Sequence, residues 1–472
     1  MTAETRLPAL HAEVAPRGGQ RANVVLLIVS LGAMLAPLNS TMIAVALPVI
    51  RRDFDVSHAA AGWLVSSYLI AMAVVQPAGG RLGDQIGRVP VFRLGLLGFL
   101  LSSIAAALSP NFFALLLFRG LQAISGAILI PNGMGLLRDA VPHEQFGRFS
   151  GFNSSIIGAT AAAGPVLGGA VLSFGSWRWL FVANIPVVAI GLILTWRLSA
   201  ILSEGAAQPS PARRSIDGIG VVLFAGVLAL VTVLLNGLRS GPGVSVLVAG
   251  AGLVVVATLF ALRQRSSSSP TAEWRLFRVR SFVGASTHIL LMNLAMYTTL
   301  LAVPFFLTEV QHKSSATAGL LLGCLAALQA IVAPVAGWSS DRLGRRRPAL
   351  TSSFCALVAA VLLCLGISRD VPLAYLAVAV TILGLGVGIG FVTASAAAIE
   401  SAPASMAGSA AGTQSMMRYF GSIIGAGALS GLLTGQAPSI TVFRLVFLLV
   451  AAMVVLSIGS AAMIRPRPAP QF

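Results

Sequence analysis

Apolar and polar residues separate along this chain at the scale of whole elements: runs of about twenty apolar residues are divided by short polar or glycine-rich breaks. A hydrocarbon core of about 30 Å is crossed by roughly 20 helical residues. Runs of that length fall at 23–47, 59–79, 90–109, 112–134, 149–173, 179–199, 217–237, 244–262, 283–307, 317–338, 349–367, 372–394, 407–433 and 442–463. Lipid offers backbone groups no partners, so segments that cross it are helices or strands of a closed barrel. Strict alternation, the mark of a barrel strand, is missing. The pattern therefore predicts an all-α integral membrane fold of fourteen helices.

Two of the breaks match each other. Residues 79–90 read GGRLGDQIGRVP and residues 337–348 read GWSSDRLGRRRP. Gly80, Asp84, Gly87 and Arg88 lie 257 positions before Gly337, Asp341, Gly344 and Arg345. Such a register reads as one half of the chain repeated by the other, and two repeated halves in a bilayer point to a transporter. Six helices with short connections need only about 200 residues, fewer than the spacing of 257, and the surplus lies around 205–280. There two polar linkers, GAAQPSPARRS and RQRSSSSPTAE, flank two extra apolar segments and are expected to be flexible tethers. The expected organisation is a tail over 1–22, a six-helix bundle over 23–199, a linker with two extra helices over 200–280, a second six-helix bundle over 281–464, and a tail over 465–472.

Composition agrees with lipid as the main solvent: 57% of residues are hydrophobic and 10% charged. A net charge of +17 would suggest nucleic acid in a soluble domain. Topology accounts for it better. With both termini in the cytoplasm, 22 of the 31 basic residues fall in cytoplasmic tails and loops, 7 lie outside, and Arg119 and Arg418 are intramembrane, which is the bias that orients membrane proteins. No nucleic-acid partner is expected; the bilayer is the partner, in a multi-pass protein of the cell membrane. The first apolar run exceeds a signal-peptide core and is expected to stay as the first helix. Cys324, Cys355 and Cys364 fall inside apolar runs and read as small packing residues rather than disulfides or metal ligands. No cofactor or metal is expected.

Energy source and chemistry narrow by motif. The only lysine, Lys313, is not part of a phosphate-binding GxxxxGK loop, and neither a GxSxG elbow nor an HExxH pair occurs, so ATP hydrolysis by that loop and the usual membrane hydrolases are not expected. The chain reads as a non-enzyme.

These residues resemble the major facilitator superfamily, and within it the fourteen-helix drug/proton antiporter branch, over roughly 23–464. The GxLxDxxGR turn is the family's signature between the second and third helices of each half, complete in the first copy and with Ser339 in place of leucine in the second. The resemblance implies that Asp84, Arg88, Asp341 and Arg345, with the four motif glycines, form intracellular gate contacts that stabilise an outward-facing state. In the fourth helix Arg119, Gln122 and Gly126 share one face, similar to the family's RxxQG motif with Ala123 at the glycine. An arginine at mid-span costs about 2.5–3.5 kcal/mol on insertion scales and marks a functional candidate; the resemblance assigns it to proton coupling or to the substrate cavity. The run GATAAAGPVLGGAVL from Gly158 carries Gly164, Pro165, Gly168 and Gly169, similar to the antiporter motif of exporters, with Thr160 at the less strict first glycine. A bend with close helix packing is the physical expectation. The segments SWRWLFVANIP at 176–186 and LFRVRSF at 276–282 add resemblance to this branch.

One departure weighs against the matches. Where the family's first helix usually shows LDxTxVNVALP, this chain has LNSTMIAVALP at 38–48, so the carboxylate becomes Asn39, which cannot titrate. The proton-coupling candidates are then Arg119, His288, Glu309 and Glu400. His288 has a suitable unperturbed pKa of about 6.5, and the alternative is a polar packing residue. The substrate-binding candidates are Asn39, Tyr68, Arg119, Gln122, Asn293, Tyr297, Gln414 and Arg418, with Met292 and Met296 flanking Asn293. The expected function is secondary transport by alternating access, as a monomeric, proton-coupled exporter of drugs or small amphipathic molecules. The alternative is an exporter or facilitator of a specific metabolite without first-helix carboxylate proton coupling, with Arg119 and Arg418 as its ligands where that metabolite is an anion. A transporter-like sensor without turnover is a third reading.

Overall fold

The computed structural model describes residues 17–141, 143–197, 217–237, 244–267, 274–403, 406–433 and 439–465. Among these residues regular structure is helical throughout. The first part contains α1 (Arg17–Asp53), α2 (His58–Ile86), α3 (Arg88–Ala107), α4 (Phe112–Ala140), α5 (His143–Leu172) and the broken pair α6 (Trp179–Val182) and α7 (Asn184–Arg197). The extra hairpin is α8 (Gly218–Asn236) and α9 (Val244–Ser266). The last part contains α10 (Arg280–Phe305), continued by a wider π turn at Phe306–Val310, then α11 (Ser315–Leu343), α12 (Arg346–Gly366), α13 (Leu373–Ser401), α14 (Ala407–Leu433) and α15 (Ile440–Ala462). Thirteen helical stretches among the described residues are long and apolar enough to cross a bilayer, and α5 supplies a shorter apolar stretch over Ala159–Leu172.

Helix ends follow local chemistry. Ser57, Asn111, Asp217, Ser314 and Ser439 accept hydrogen bonds from the first turns of α2, α4, α8, α11 and α15. Gly87 and Gly344, equivalent in the repeat, both take positive φ, 109° and 78°. A side chain is strained there, which explains glycine at these motif positions. Several helices outrun their apolar stretches. The signature regions expected as turns are helical to Ile86 and Leu343, so Asp84 and Asp341 project from last helical turns. Likewise α1 continues through Arg51 and Arg52. A helix satisfies its own backbone, so leaving the hydrocarbon need not end it. The segment SWRWLFV pins the opposite end of the first part: Trp177 donates to Asp53 at 2.8 Å and packs on Phe54 and Phe181.

The first and last parts meet along two seams, α5 on α11 and α2 on α14. At the first, the backbones approach so closely that a Cβ on Gly319 would collide with the Pro165 carbonyl oxygen, and one on Gly169 would sit 3.0 Å from Ala316 Cα. The hairpin α8–α9 rests on α2 and α14, with Leu235 against Gly427 and Gly431.

Much of the flanking linker sequence lies outside the described residues, but Arg263–Ser266, expected as tether, is helical. Arg263 donates to Asp217 at 2.9 Å. Burial would raise the Asp217 carboxyl, but the Gly220 amide and Arg263 outweigh it and hold the group below the ordinary carboxylate value. Asp217→Asn should therefore destabilise the protein by about 1 kcal/mol. The difference in Tm between wild type and variant should be complete above a pH of about 4 and shrink as pH falls through the depressed native pKa. A constant difference down to acid pH would remove the charge from the explanation.

Candidate functional site

The polar groups sort into three levels: the end carrying the two signature turns, mid-span, and the far end.

At the signature end each motif arginine is satisfied within its own half. Arg88 donates to Asp84 at 3.0 Å, to both Asp139 oxygens at 2.8 Å and to the Gly135 carbonyl at 2.9 Å. Arg345 pairs with Asp341 at 2.7 Å and holds Glu400 with two donors, one at 3.0 Å and a shorter second. The Glu400 hydrogen bonds raise the Arg345 guanidinium above its ordinary pKa. Glu400 is thus the counterpart of Asp139 and pairs with a signature arginine. The Asp139 role was missed from sequence because its counterpart is offset by one helical turn from the 257-residue register. Beside Arg345 a cleft of about 620 Å³ includes Ser281, Ser340, Asp341, Glu400 and Arg465, away from mid-span.

At mid-span Arg119 is 1% exposed. Its Nη1 donates to Asn39 Oδ1 and, at 2.7 Å, to Gln122 Oε1, and Gln122 Nε2 donates to Ser103 at 2.8 Å. The guanidinium lies 4.1 Å from the Tyr68 ring centroid, and Tyr68 donates to the Ala36 carbonyl. Four of the expected substrate residues, Asn39, Tyr68, Arg119 and Gln122, are therefore one cluster. Among the described residues its only charge is the arginine, whose Nε lacks a partner.

Across the seams at the same level, the Ser40 and Tyr297 hydroxyls share a hydrogen bond of 3.2 Å, and Gln76 donates to Tyr419 at 3.0 Å. Arg418 is half-buried, 5.1 Å from the Tyr419 ring and 5.4 Å from that of Phe391. Tyr297 with Ser40, and Tyr419 with Gln76, make the inter-half site, and Arg418 lies beside it against the Tyr419 and Phe391 rings; sequence reasoning passed over Ser40, Gln76, Tyr419 and Phe391. A polar residue one position from a candidate, as at Ser40 and Tyr419, was the available signal. Gln414 donates to Ser286 at 2.8 Å and Asn293 to the Ile289 carbonyl of its own helix at 3.1 Å; both are buried. His288 is fully buried, with Nε2 3.3 Å from the Ser352 hydroxyl and Nδ1 3.4 Å from the Ser457 carbonyl. Its partners belong to α12 and α15 of its own half.

At the far end Glu309 joins the halves. Arg51 reaches its Oε1 at 2.6 and 3.1 Å, His58 lies 3.1 Å from Oε2, and Arg52 donates to the Thr308 carbonyl at 3.2 Å. Ser430 donates to the His58 carbonyl at 2.8 Å. The glycine–proline residues Gly164, Pro165, Gly168 and Gly169 of α5 line the nearby helix crossings: Gly164 and Gly168 face Thr41 and Met42 of α1, and Pro165 and Gly169 face α11.

Two groups of packed membrane helices around a polar seam define a membrane transporter rather than an enzyme. Residues 29–426 and 289–471 match the Major Facilitator Superfamily, and the chain belongs to that family. It is 33% identical to the uncharacterized MFS-type transporter YvkA of Bacillus subtilis (strain 168), covering 92% of this chain and 95% of that protein. It is 30% identical to the tetracenomycin C resistance and export protein of Streptomyces glaucescens, covering 88% and 76%. Similarity also extends at 27% identity to the riboflavin transporter RibZ of Clostridioides difficile (strain 630), covering 70% of each chain. Among solved structures, a bacterial homolog to the human lysosomal transporter Spinster superposes with a TM-score of 0.65 at 16% identity, covering 96% of this chain and 100% of that one.

Proposed function

We propose that the protein is a monomeric secondary exporter working by alternating access, with the signature end facing the cytoplasm. The observation that carries this reading is the asymmetry of closure. The far end is joined across the halves through Glu309 with Arg51 and His58, whereas Arg88 and Arg345 are satisfied inside their own halves. The basic-residue bias supports an inside location for the signature end, and on that orientation this arrangement corresponds to an inward-facing state awaiting cargo. Export as the direction is supported by the glycine–proline motif of α5 and by the resistance and export role named for the Streptomyces relative. The riboflavin transporter among the relatives keeps a specific aromatic metabolite as a second substrate class.

Proton coupling is part of the proposal, with its carrier outside the first-helix position taken by Asn39. Of the four candidates, Glu309 has the best placing, since it is a carboxylate at an inter-half contact. Glu400 neutralises Arg345, His288 faces into its own bundle, and Arg119 is held by Asn39 and Gln122. One proton moving through 100 mV releases about 2.3 kcal/mol, sufficient for roughly a fifty-fold solute gradient. The test is reconstitution in proteoliposomes with an imposed pH gradient and a panel of fluorescent amphipathic solutes. Gradient-dependent solute movement, lost on adding a protonophore, is expected. Solute movement indifferent to the gradient would overturn proton coupling and leave export standing.

A further inference from the structure

Resting on the export reading, we infer that the cargo of this site is an organic anion carrying an aromatic ring, docked on Arg418. The charge distribution carries the argument. The acids nearest the spans occupy helix ends and connections: Asp53, Asp55, Glu309 and Asp370 towards the far end, Asp84, Asp139, Asp341 and Glu400 at the signature end, and Asp217 at the start of α8. None of the fourteen acids falls at the middle of a span, yet two arginines do. A charge in the hydrocarbon core is retained where it faces a cavity or a partner.

The two arginines are provided for differently. Arg119 is enclosed and takes oxygens from Asn39 and Gln122, so its charge is solvated by amides but not neutralised. Arg418 is half-buried beside the inter-half site and, among the described residues, its guanidinium has aromatic rings beside it and no carboxylate. Its own backbone carbonyl accepts from Ser422 at 3.1 Å. Two positive charges without a carboxylate partner at the low-dielectric middle of the spans draw an anion and repel a cation, because field is focused where water is scarce. The counter-charge missing from the protein is supplied by the cargo.

Surrounding groups specify the rest of the ligand. Tyr297, Tyr419 and Phe391 present ring surfaces, and Gln76 and Ser40 present polar atoms from the other half. Flat rings stack on such walls while a carboxylate or phenolate meets the guanidinium, a charge-assisted contact stronger than a neutral hydrogen bond. A lipophilic cation would find rings for its body but a like charge at Arg418, and like-charge juxtaposition is a strong discriminator.

Two dyes that share a xanthene core but differ in charge test this: anionic fluorescein and cationic rhodamine 123. Purified full-length protein is assayed for dye flux in proteoliposomes and for dye-induced rise in Tm. Wild type is expected to move fluorescein at least tenfold faster than rhodamine 123 and to be stabilised by fluorescein alone. Arg418→Gln should weaken fluorescein binding at least tenfold without loss of monodispersity, and Arg418→Lys should restore part of it, which a purely structural arginine would not do. Preference for rhodamine 123, or fluorescein binding unchanged in Arg418→Gln, would overturn the anion site while leaving export intact. Fluorescein stabilisation that depends on Arg418 but comes without flux would uphold the anion site and overturn export. Neither flux nor stabilisation with either dye would overturn both.

Discussion

Gly319→Val should abolish transport, a loss of at least a hundredfold, while each six-helix group stays folded. The reason is the α5–α11 seam. A Cβ at 319 meets the Pro165 carbonyl oxygen and lies 3.1 Å from Gly169 Cα, and on the facing helix a Cβ at 169 lies 3.0 Å from the Ser315 carbonyl oxygen. These neighbours are backbone, so no side chain can swing aside, and the helices must separate. Overpacking a tight contact costs about 1–3 kcal/mol even where side chains adjust. At 1.4 kcal/mol per tenfold, the upper end of that range shifts a conformational equilibrium about a hundredfold. Since this seam joins the two halves, the shift falls on their mutual arrangement rather than on either bundle. Gly459→Val is the matched control, because nothing lies within 4 Å of a Cβ there, and it should transport normally. The check is flux in proteoliposomes beside size-exclusion profiles of both variants. Normal flux in Gly319→Val would mean that the seam is not held closed at this contact.

What could be read in the sequence and what could not divides along physical lines. The signature turns were legible because their chemistry is local: a glycine that takes positive φ, an aspartate one turn before it and an arginine just after it, twice in register. The cluster of Asn39, Arg119 and Gln122 was legible because polar residues are rare at mid-span, so each stands out, and Arg119 and Gln122 share a face. His288 stood out for the same reason and was less informative. In a span that is apolar on all sides, periodicity does not say which way a residue points, and packing turned this one toward Ser352 and Ser457. Arg51, His58 and Glu309 gave no signal as a group, since Glu309 lies about 250 residues from the other two and each looks individually like an interfacial charge. Only the docking of one half on the other brings them together. Helix lengths were underestimated because hydropathy reports where lipid ends, whereas a helix ends where its backbone is capped, as at Ser57 and Ser314.

That far-end contact supports the second large effect. Glu309→Gln should unlatch the end of the molecule opposite the signature turns and expose the interior there. In the closed arrangement the Glu309 side chain is 3% exposed and accepts from Arg51 twice, with His58 on its other oxygen. Removing one partner of a buried ion pair costs about 3–5 kcal/mol, and because Arg51 remains 22% exposed the effect here should be smaller, about 2 kcal/mol. That is roughly a thirtyfold change in the balance between closed and open far ends. Glutamine is nearly isosteric and keeps a hydrogen-bonding oxygen, so the change isolates the charge from packing of the His58 ring on Phe305. The measurement is labelling of Thr308→Cys by a membrane-impermeant thiol reagent, since Thr308 is 7% exposed and its carbonyl is held by Arg52. Labelling should accelerate at least tenfold when Glu309→Gln is added, and under the alternating-access proposal transport should fall because one of the two states is no longer held. Unchanged labelling would show that the two helical seams keep the far end shut without the ion pair, and would move the control of closure from charge to packing.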